Sequence, residues 1–322
     1  MNNPFSRAIG ILASLTLGLA ASIASGKDNP SAEAVHVMAS KFHRNFSNGE
    51  IDSNGPLAAP DIHVDSNNVI LVGRDKFIER LKRYSVPFPG LQLKDRIVVV
   101  DGSRAAVQYV LQGEHKGPYA GIPATGNKIQ AMSGEVFEFD KQGLMSKLIT
   151  ITKLDDVMGE IKGSKKIDAF ENVTLLPNGN ESPAYVAQVR RAASTFHKNF
   201  STGQFDRNGP LVADNIHVNS NGTLLDGKSA FIERIKRYKI PFPNLAIRDE
   251  YVLVEGNRAA VEYVMEGTQT GPFTLPDGSV LQPTGKPVRV RGIEFMRFNQ
   301  AGLLDDLITL SNGDDFVRQL TK

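Results

Sequence analysis

Neither cysteine nor tryptophan occurs among the 322 residues. Without a thiol there is no disulfide, no cysteine nucleophile, no thiolate metal ligand and no lipobox cysteine to carry a lipid. Neither sign of charge is in marked excess. The formal balance is +2, which points to no polyanionic partner and no nucleic-acid surface. The apolar run from Ala8 to Ala21, preceded by Arg7 and followed by the small residues of "ASIASG", is short for a bilayer span. It has the layout of a secretory signal cut after Ala24. Residues 1–24 are therefore expected to be a signal peptide, and the mature chain to be periplasmic or secreted with no membrane attachment.

What is present is present twice. Residues 42–57 read "FHRNFSNGEIDSNGPL" and residues 196–211 read "FHKNFSTGQFDRNGPL", with 11 of 16 positions identical at an offset of 154. "FIERLKRYSVPFP" returns as "FIERIKRYKIPFP", "RAAVQYV" as "RAAVEYV", and His63 as His217. Five extra residues after Gly271 move the offset to 159 from Gly126/Gly285 onward. So long a period is a duplicated domain rather than a solenoid, whose repeats run to roughly 20–50 residues. The expected units are a domain over 31–161, a linker over 162–183 rich in charge, Gly, Asn and Pro, and a second domain over 184–322.

Within one copy, Val35, Met38, Phe42 and Phe46 repeat near helical spacing over 32–49, and "GRDKFIERLKRY" is a second amphipathic helix stopped by "VPFP". Residues 57–63 call for a short helix or an extended segment. Strands follow: "RIVVVDGSRAAVQYVLQG" carries an Asp-Gly hairpin signal, "NKIQAMSGEVFEFDKQGLMSKLITIT" is another hairpin, and "LDDVMGEI" closes with a short helix. Helices first, then four long strands, is an α+β pattern. The expectation is two tandem cone-shaped domains, each a curved antiparallel sheet with N-terminal helices packed on its concave face and room for a small molecule at the mouth.

"SGEVFEFD" poses the chemical question. Its alternation puts Glu135 on the face of Ile129, Phe137 and Phe139, and "RGIEFMRFN" does the same for Glu294 beside Val288, Val290, Met296 and Phe298. A buried carboxylate has to be paired, protonated or turned to a cavity. As cavity groups, Glu135 and Glu294 suit general acid–base work or the anchoring of a ligand hydroxyl; as structural groups they would be tied to a neighbouring side chain. Tyr109 and Tyr263 share the inward face and offer one hydroxyl each, while Tyr84 and Tyr238 end the second helix and are placed to seal the cone. His63 and His217 are read as pocket histidines able to share a proton with the glutamate, with loop capping as the alternative. His43 and His197, one position from a core Phe, are read as solvated or as a helix–sheet contact. His63 with Asp65 does not make a metal site, because the second copy has Asn219 there; neither metal nor cofactor is expected. The basic clusters "RLKRY" and "RIKRY" are read as a solvated helix face, with Glu79–Arg83 and Glu233–Arg237 paired at i,i+4.

The order of helix, "APDIH", "PFPGLQL", strand hairpin and above all "GPYAGIPATG" at 117–126 resembles the SnoaL-like polyketide cyclases, or ester cyclases, of the nuclear transport factor 2-like superfamily. In copy two the last phrase is broken into "GPFTLPDGSVLQPTG". The resemblance implies a cone that places an acidic residue against a substrate carbonyl and closes a ring by an aldol step. The family's Gly-Ile-Asp/Glu strand falls on Glu135 and Glu294. Its catalytic Asp, in a His-Trp-Asp phrase, falls on Thr150 and Thr309, so both copies lack that carboxylate. Two function classes stay open: a cyclase- or isomerase-type enzyme, with Glu135 and Glu294 supported by the histidines and tyrosines, or a pair of non-catalytic cones binding a small apolar molecule with one or two oxygens. Members of the superfamily often dimerise through the outer sheet face, which implies that the two halves form an intramolecular pseudo-dimer.

Overall fold

The computed structural model describes residues 29–179, 181–275 and 278–321; the expected signal segment lies outside the described residues. The first half runs α1 (Ala32–Ser47), a 3₁₀ turn (Ile51–Leu57), β1 (Ala58–Ser66), β2 (Val69–Val72), α2 (Arg74–Tyr84), β3 (Gln92–Asp101), β4 (Arg104–Glu114), β5 (Lys128–Phe139), β6 (Met145–Thr152) and α3 (Leu154–Ile161). The second half repeats it as α4 (Pro183–Ser201), β7 (Val212–Ser220), β8 (Thr223–Asp226), α5 (Lys228–Arg237), β9 (Ala246–Glu255), β10 (Arg258–Thr268), a short ribbon of β11 (Phe273–Thr274) and β12 (Val280–Leu281), β13 (Pro287–Phe298), β14 (Leu304–Ser311) and α6 (Gly313–Thr321).

Each half folds its strands into one six-stranded sheet, ordered β2-β1-β6-β5-β4-β3 and β8-β7-β14-β13-β10-β9. The segment expected as a short helix or extended stretch is both, a 3₁₀ turn running into β1. That strand lies parallel to β6, as β7 does to β14, so the sheets are mixed rather than wholly antiparallel. A parallel pair needs a long connection, and everything between β1 and β6 supplies it. The long helix at the start of each half begins on a serine cap, Ser31 accepting from the Ala34 amide and Ser182 from the Tyr185 amide. Val35, Ala39, Phe42 and Phe46 of α1 then pack into the concave face against Val107, Phe137 and Leu148.

One irregularity decides what faces inward. From Leu91, just ahead of β3, Leu91, Leu93 and Asp95 point to the concave side, then Val98 and Val100 do, while Ile97 and Val99 point out. The phase slips at Arg96, which has no partner between the pairs Asp95↔Tyr109 and Ile97↔Gln108. Without this β-bulge, Asp95 would share the outer face with Ile97 and Val99. The same slip occurs at Glu250, between Asp249↔Tyr263 and Tyr251↔Glu262.

The outer faces of the two sheets pack on each other. Ile97, Val99, Val136 and Ile149 of the first half form one buried cluster with Leu253, Phe295, Ile308 and Leu310 of the second. The contact is reciprocal at its edges: the Val100 amide donates to Glu255 at 2.7 Å and the Val254 amide to Asp101 at 3.1 Å. These are the same two positions exchanged by the repeat, as in an isologous interface. The linker is tied down as well. The Leu176 amide donates to the Arg96 carbonyl, and Asn178 to the Val98 carbonyl. At Gly256 (φ +56°) a Cβ would meet the Gly179 carbonyl oxygen at 1.9 Å, so only glycine admits the linker there.

Elsewhere the interface has lost its symmetry. Arg291 of β13 contacts Asp65 of the first half and lies 3.0 Å from Glu262. The repeat-related positions hold Met132, Asn219 and Gln108, where the Asn219 amide reaches the Met132 sulfur at 3.6 Å. Glu262 is 1% exposed, and neither of its oxygens has a hydrogen bond of good geometry despite the nearby guanidinium. Burial pushes its carboxyl up to about 7 against the pull of the Arg291 charge. Because the folded value lies above the ordinary 4.5, the favourable contribution is whole below about pH 4.5 and is lost as the pH rises through about 7. Glu262→Gln, which installs the amide of the other half, should therefore stabilise the protein at pH 8 by about 1–3 kcal/mol and leave pH 4.5 nearly unchanged. Urea unfolding of both proteins at the two pH values measures this; a less stable variant at pH 8 would show that the ion pair outweighs the cost of burial.

Candidate functional site

Between the helices and the concave face each cone keeps a cavity. The cavity volume is about 90 Å³ in the first and about 100 Å³ in the second. The walls of the first are mainly Phe, Leu and Tyr side chains, and its floor carries Glu135.

Glu135 is 4% exposed and is a hub of donors. Tyr109 and Thr150 donate their hydroxyls to Oε1 at 3.1 and 3.0 Å, and the His43 Nε2 lies 2.9 Å from Oε2. Register makes this automatic, since Tyr109 stands two residue pairs along from Val107↔Glu135, on the same face, and Thr150 stands directly opposite Glu135 across β5 and β6. The His43 Nδ1 in turn lies 2.5 Å from Asp95 Oδ1, the carboxylate that the β-bulge turns inward. Burial alone would lower the pKa of this imidazole. The hydrogen bonds to Asp95 and Glu135 and the two negative charges outweigh that and raise it to about 10. His43 is thus a buried cation between two carboxylates. Burial and the Glu135 charge push the Tyr109 phenol well above its ordinary value, so it stays a donor.

The second cone rebuilds the arrangement. His197 lies 2.5 Å from Asp249 and 3.1 Å from Glu294, and Thr309 donates to Glu294 at 3.1 Å. Again burial would lower the imidazole and the Glu294 and Asp249 contacts raise it, here to about 9. One partner differs. Tyr263 makes no hydrogen bond to Glu294 among the described residues; its phenol lies over Gly292, where a Cβ would be 2.2 Å from Cζ. The first cone has Ser133 at that position, which keeps Tyr109 over Glu135.

Of the residues singled out in the sequence, Glu135, Tyr84, Tyr109 and Thr150 line the first cavity, and Glu294, Tyr238, Tyr263 and Thr309 line the second. His63 and His217 do not. They alternate with the buried Ile62/Val64 and Ile216/Val218, so the strand pleat turns them outward, and His217 pairs with Asp226 at the surface. The histidine of the site is instead the one in "FHRNF" and "FHKNF", a helix–sheet contact with full burial. A signal existed: His43 follows Ala39 by four and precedes Phe46 by three, the spacing of one helix face. Plain alternation from "IVVV" and "YVLV" assigns Asp95 and Asp249 outward; only the bulges reverse that. The basic clusters also divide. Glu79–Arg83 pairs at 2.6 Å, Glu233 meets Lys236 rather than Arg237, and Arg80 and Arg234 line the cavities instead of facing water.

A family model described as SnoaL-like polyketide cyclase matches residues 36–148 and again 188–305. These matches take in well over half of the sequence, and the chain belongs to that family, with two copies in tandem. Solved structures similar to one copy include a candidate SnoaL-like polyketide cyclase from Jannaschia sp. CCS1 (21% identity, 42% of this chain and 97% of its own, TM-score 0.39). Another is a candidate polyketide cyclase from Xanthomonas campestris (21%, 41% and 99%, 0.39), and a third is TsrD from Streptomyces laurentii (19%, 41% and 97%, 0.38). No curated protein matches the chain significantly.

Two outcomes test this geometry. The stability drawn from the cationic histidines is whole below about pH 6.5, since the folded values lie above that of a free imidazole. It is lost as the pH climbs through about 9 and then about 10. His43→Gln should flatten that loss and cost about 3–5 kcal/mol at pH 7, because it strands two carboxylates; denaturant titrations from pH 6 to 10 read both. Gly292→Ser should move the Tyr263 hydroxyl to about 3 Å from Glu294, as in the first cone. A crystal structure showing the phenol displaced away from Glu294 would refute the role of the serine.

Proposed function

We propose that each cone binds a small, largely apolar molecule bearing oxygen, and that Glu135 and Glu294 move a proton on it. The observation that carries this reading is the repetition, in two halves that have diverged elsewhere, of a buried glutamate on a cavity floor with the same Asp–His pair behind it. A carboxylate has about four lone-pair positions; Glu135 fills three with His43, Tyr109 and Thr150, and one remains for the cavity. A ligand hydroxyl can occupy it, or the carboxylate can take a proton from a carbon beside a carbonyl and return it to another atom of the same molecule. That is an isomerisation or the first half of an aldol closure, and it needs no co-reactant. His43 donates to Glu135 throughout and holds its orientation.

A second reading has an observation of its own. Thr150 and Thr309 stand where the family's catalytic Asp is expected and donate to the glutamate rather than to a ligand; a threonine cannot act as a base at neutral pH without an activating group. Under that reading the cones bind and do not turn over. In either case we propose that the protein is exported through residues 1–24 and acts on a molecule it meets outside the cytoplasm.

Native mass spectrometry of the protein from an exported fraction tests the reading, its intact mass starting at Ser25. A small-molecule adduct on the wild type that Glu135→Gln with Glu294→Gln loses is the expected result. The released molecule, incubated in D₂O with fresh protein, should gain deuterium beside a carbonyl about 100-fold faster than with the double variant. Binding without exchange would select the second reading, and retention of the adduct by the double variant would remove the glutamates from the site.

A further inference from the structure

The cavities contain a charge that the proton chemistry leaves idle. Arg80 of α2 lines the first cavity and Arg234 of α5 the second, at positions related by the repeat. Neither has a carboxylate within ion-pair distance among the described residues, although their helix neighbours do: Lys82 pairs with Asp52, Arg83 with Glu79 and Lys236 with Asp206. Among the described residues the guanidinium of Arg80 donates only to hydroxyls, Tyr84 at 3.2 Å and Ser66 at 3.5 Å. Arg234 donates to Tyr238 at 3.3 Å, and its Nε is buried without a partner.

A half-buried guanidinium in a mainly apolar wall, short of acceptors, is an incomplete arrangement. Accepting from arginine leaves the phenol protons of Tyr84 and Tyr238 free to donate in turn. Each cone therefore lines its cavity with a fork of N–H groups beside an O–H group, and with Glu135 or Glu294, which can only accept. The polarity is directional: acceptors of the ligand belong by the arginine, and its donor or acidic C–H by the glutamate.

We propose that Arg80 with Tyr84, and Arg234 with Tyr238, form an anion clamp, so that the molecule held in each cone is an apolar carboxylate (or an equivalent delocalised oxyanion) rather than a neutral ketone or ester. The proposal rests on the small-molecule reading above and narrows it to a ligand class. Guanidinium and carboxylate match as two parallel hydrogen bonds, which gives the clamp its preference over a point charge.

Two probes of the same shape separate the ideas: 2-naphthoate, which carries the carboxylate, and 2-naphthamide, which does not. Calorimetric titration of the full chain at pH 7 and low salt should show the carboxylate binding about 10- to 100-fold more tightly than the amide. In the Arg80→Gln, Arg234→Gln double variant the two affinities should converge as that of the carboxylate falls. The Arg80→Lys, Arg234→Lys variant, which keeps the charge and loses the fork, should fall between them and guards against a folding defect in the first. Equal affinities in the wild type, or an anion preference that survives the glutamine variant, would overturn the clamp and leave the small-molecule cone standing. Binding of neither probe would overturn both.

Discussion

A protonated imidazole held between two buried carboxylates joins the first helix of each half to the concave face of its sheet. His43 and His197 come from α1 and α4, their aspartates from β3 and β9, and their glutamates from β5 and β13. Three elements distant in sequence meet at one charge. Without the cation, two carboxylates would lie close together at low dielectric, and without either carboxylate the cation would be stranded. The bulges at Arg96 and Glu250 exist in the same service, because a regular strand would turn the aspartate away. Pocket, helix position and strand irregularity are thus one solution to one electrostatic problem.

Much of this was legible in the residues. The duplication, the hairpins, the inward face of β4 and β5 and the placement of Glu135 and Glu294 follow from period-two alternation and a repeated text, which depend on local sequence alone. What escaped has a common cause. β1 pairs with β6 in parallel across most of the domain, and no local pattern announces a non-local parallel partner. Asp95 is hidden by a one-residue phase slip at Arg96, just before an apolar run. His63 attracted notice because it precedes a loop, yet it sits between two buried aliphatics on a strand whose pleat faces it outward. His43 follows the core Phe42 directly, and the helix brings both onto buried surface. Site chemistry was readable where it followed a strand's alternation and unreadable where a bulge or a distant pairing set the geometry.

The two cones have not stayed alike. In the first, Tyr109 is committed to Glu135 and Tyr119 lines the cavity. In the second, Tyr263 lies over Gly292, and Phe273, the counterpart of Tyr119, packs with Phe242 and Phe316. The glutamate of the second cone therefore keeps more open acceptor positions, under a rim that offers one hydroxyl fewer. The arginine and the glutamate of the cavity lining are common to both, so the cones share a polarity while differing in detail.

The reciprocal contacts of Val100 with Glu255 and of Val254 with Asp101 describe an interface that two separate chains could also form, and there its occupancy would fall with dilution. Here the partner's local concentration is set by a tether, one stitched along β3 and threaded past Gly256. Association of the halves is consequently first order: it depends on the chain's own geometry and not on how much protein surrounds it. A cone braced from behind in this way keeps its sheet curvature, and with it the cavity, at concentrations where a dissociable pair would have come apart.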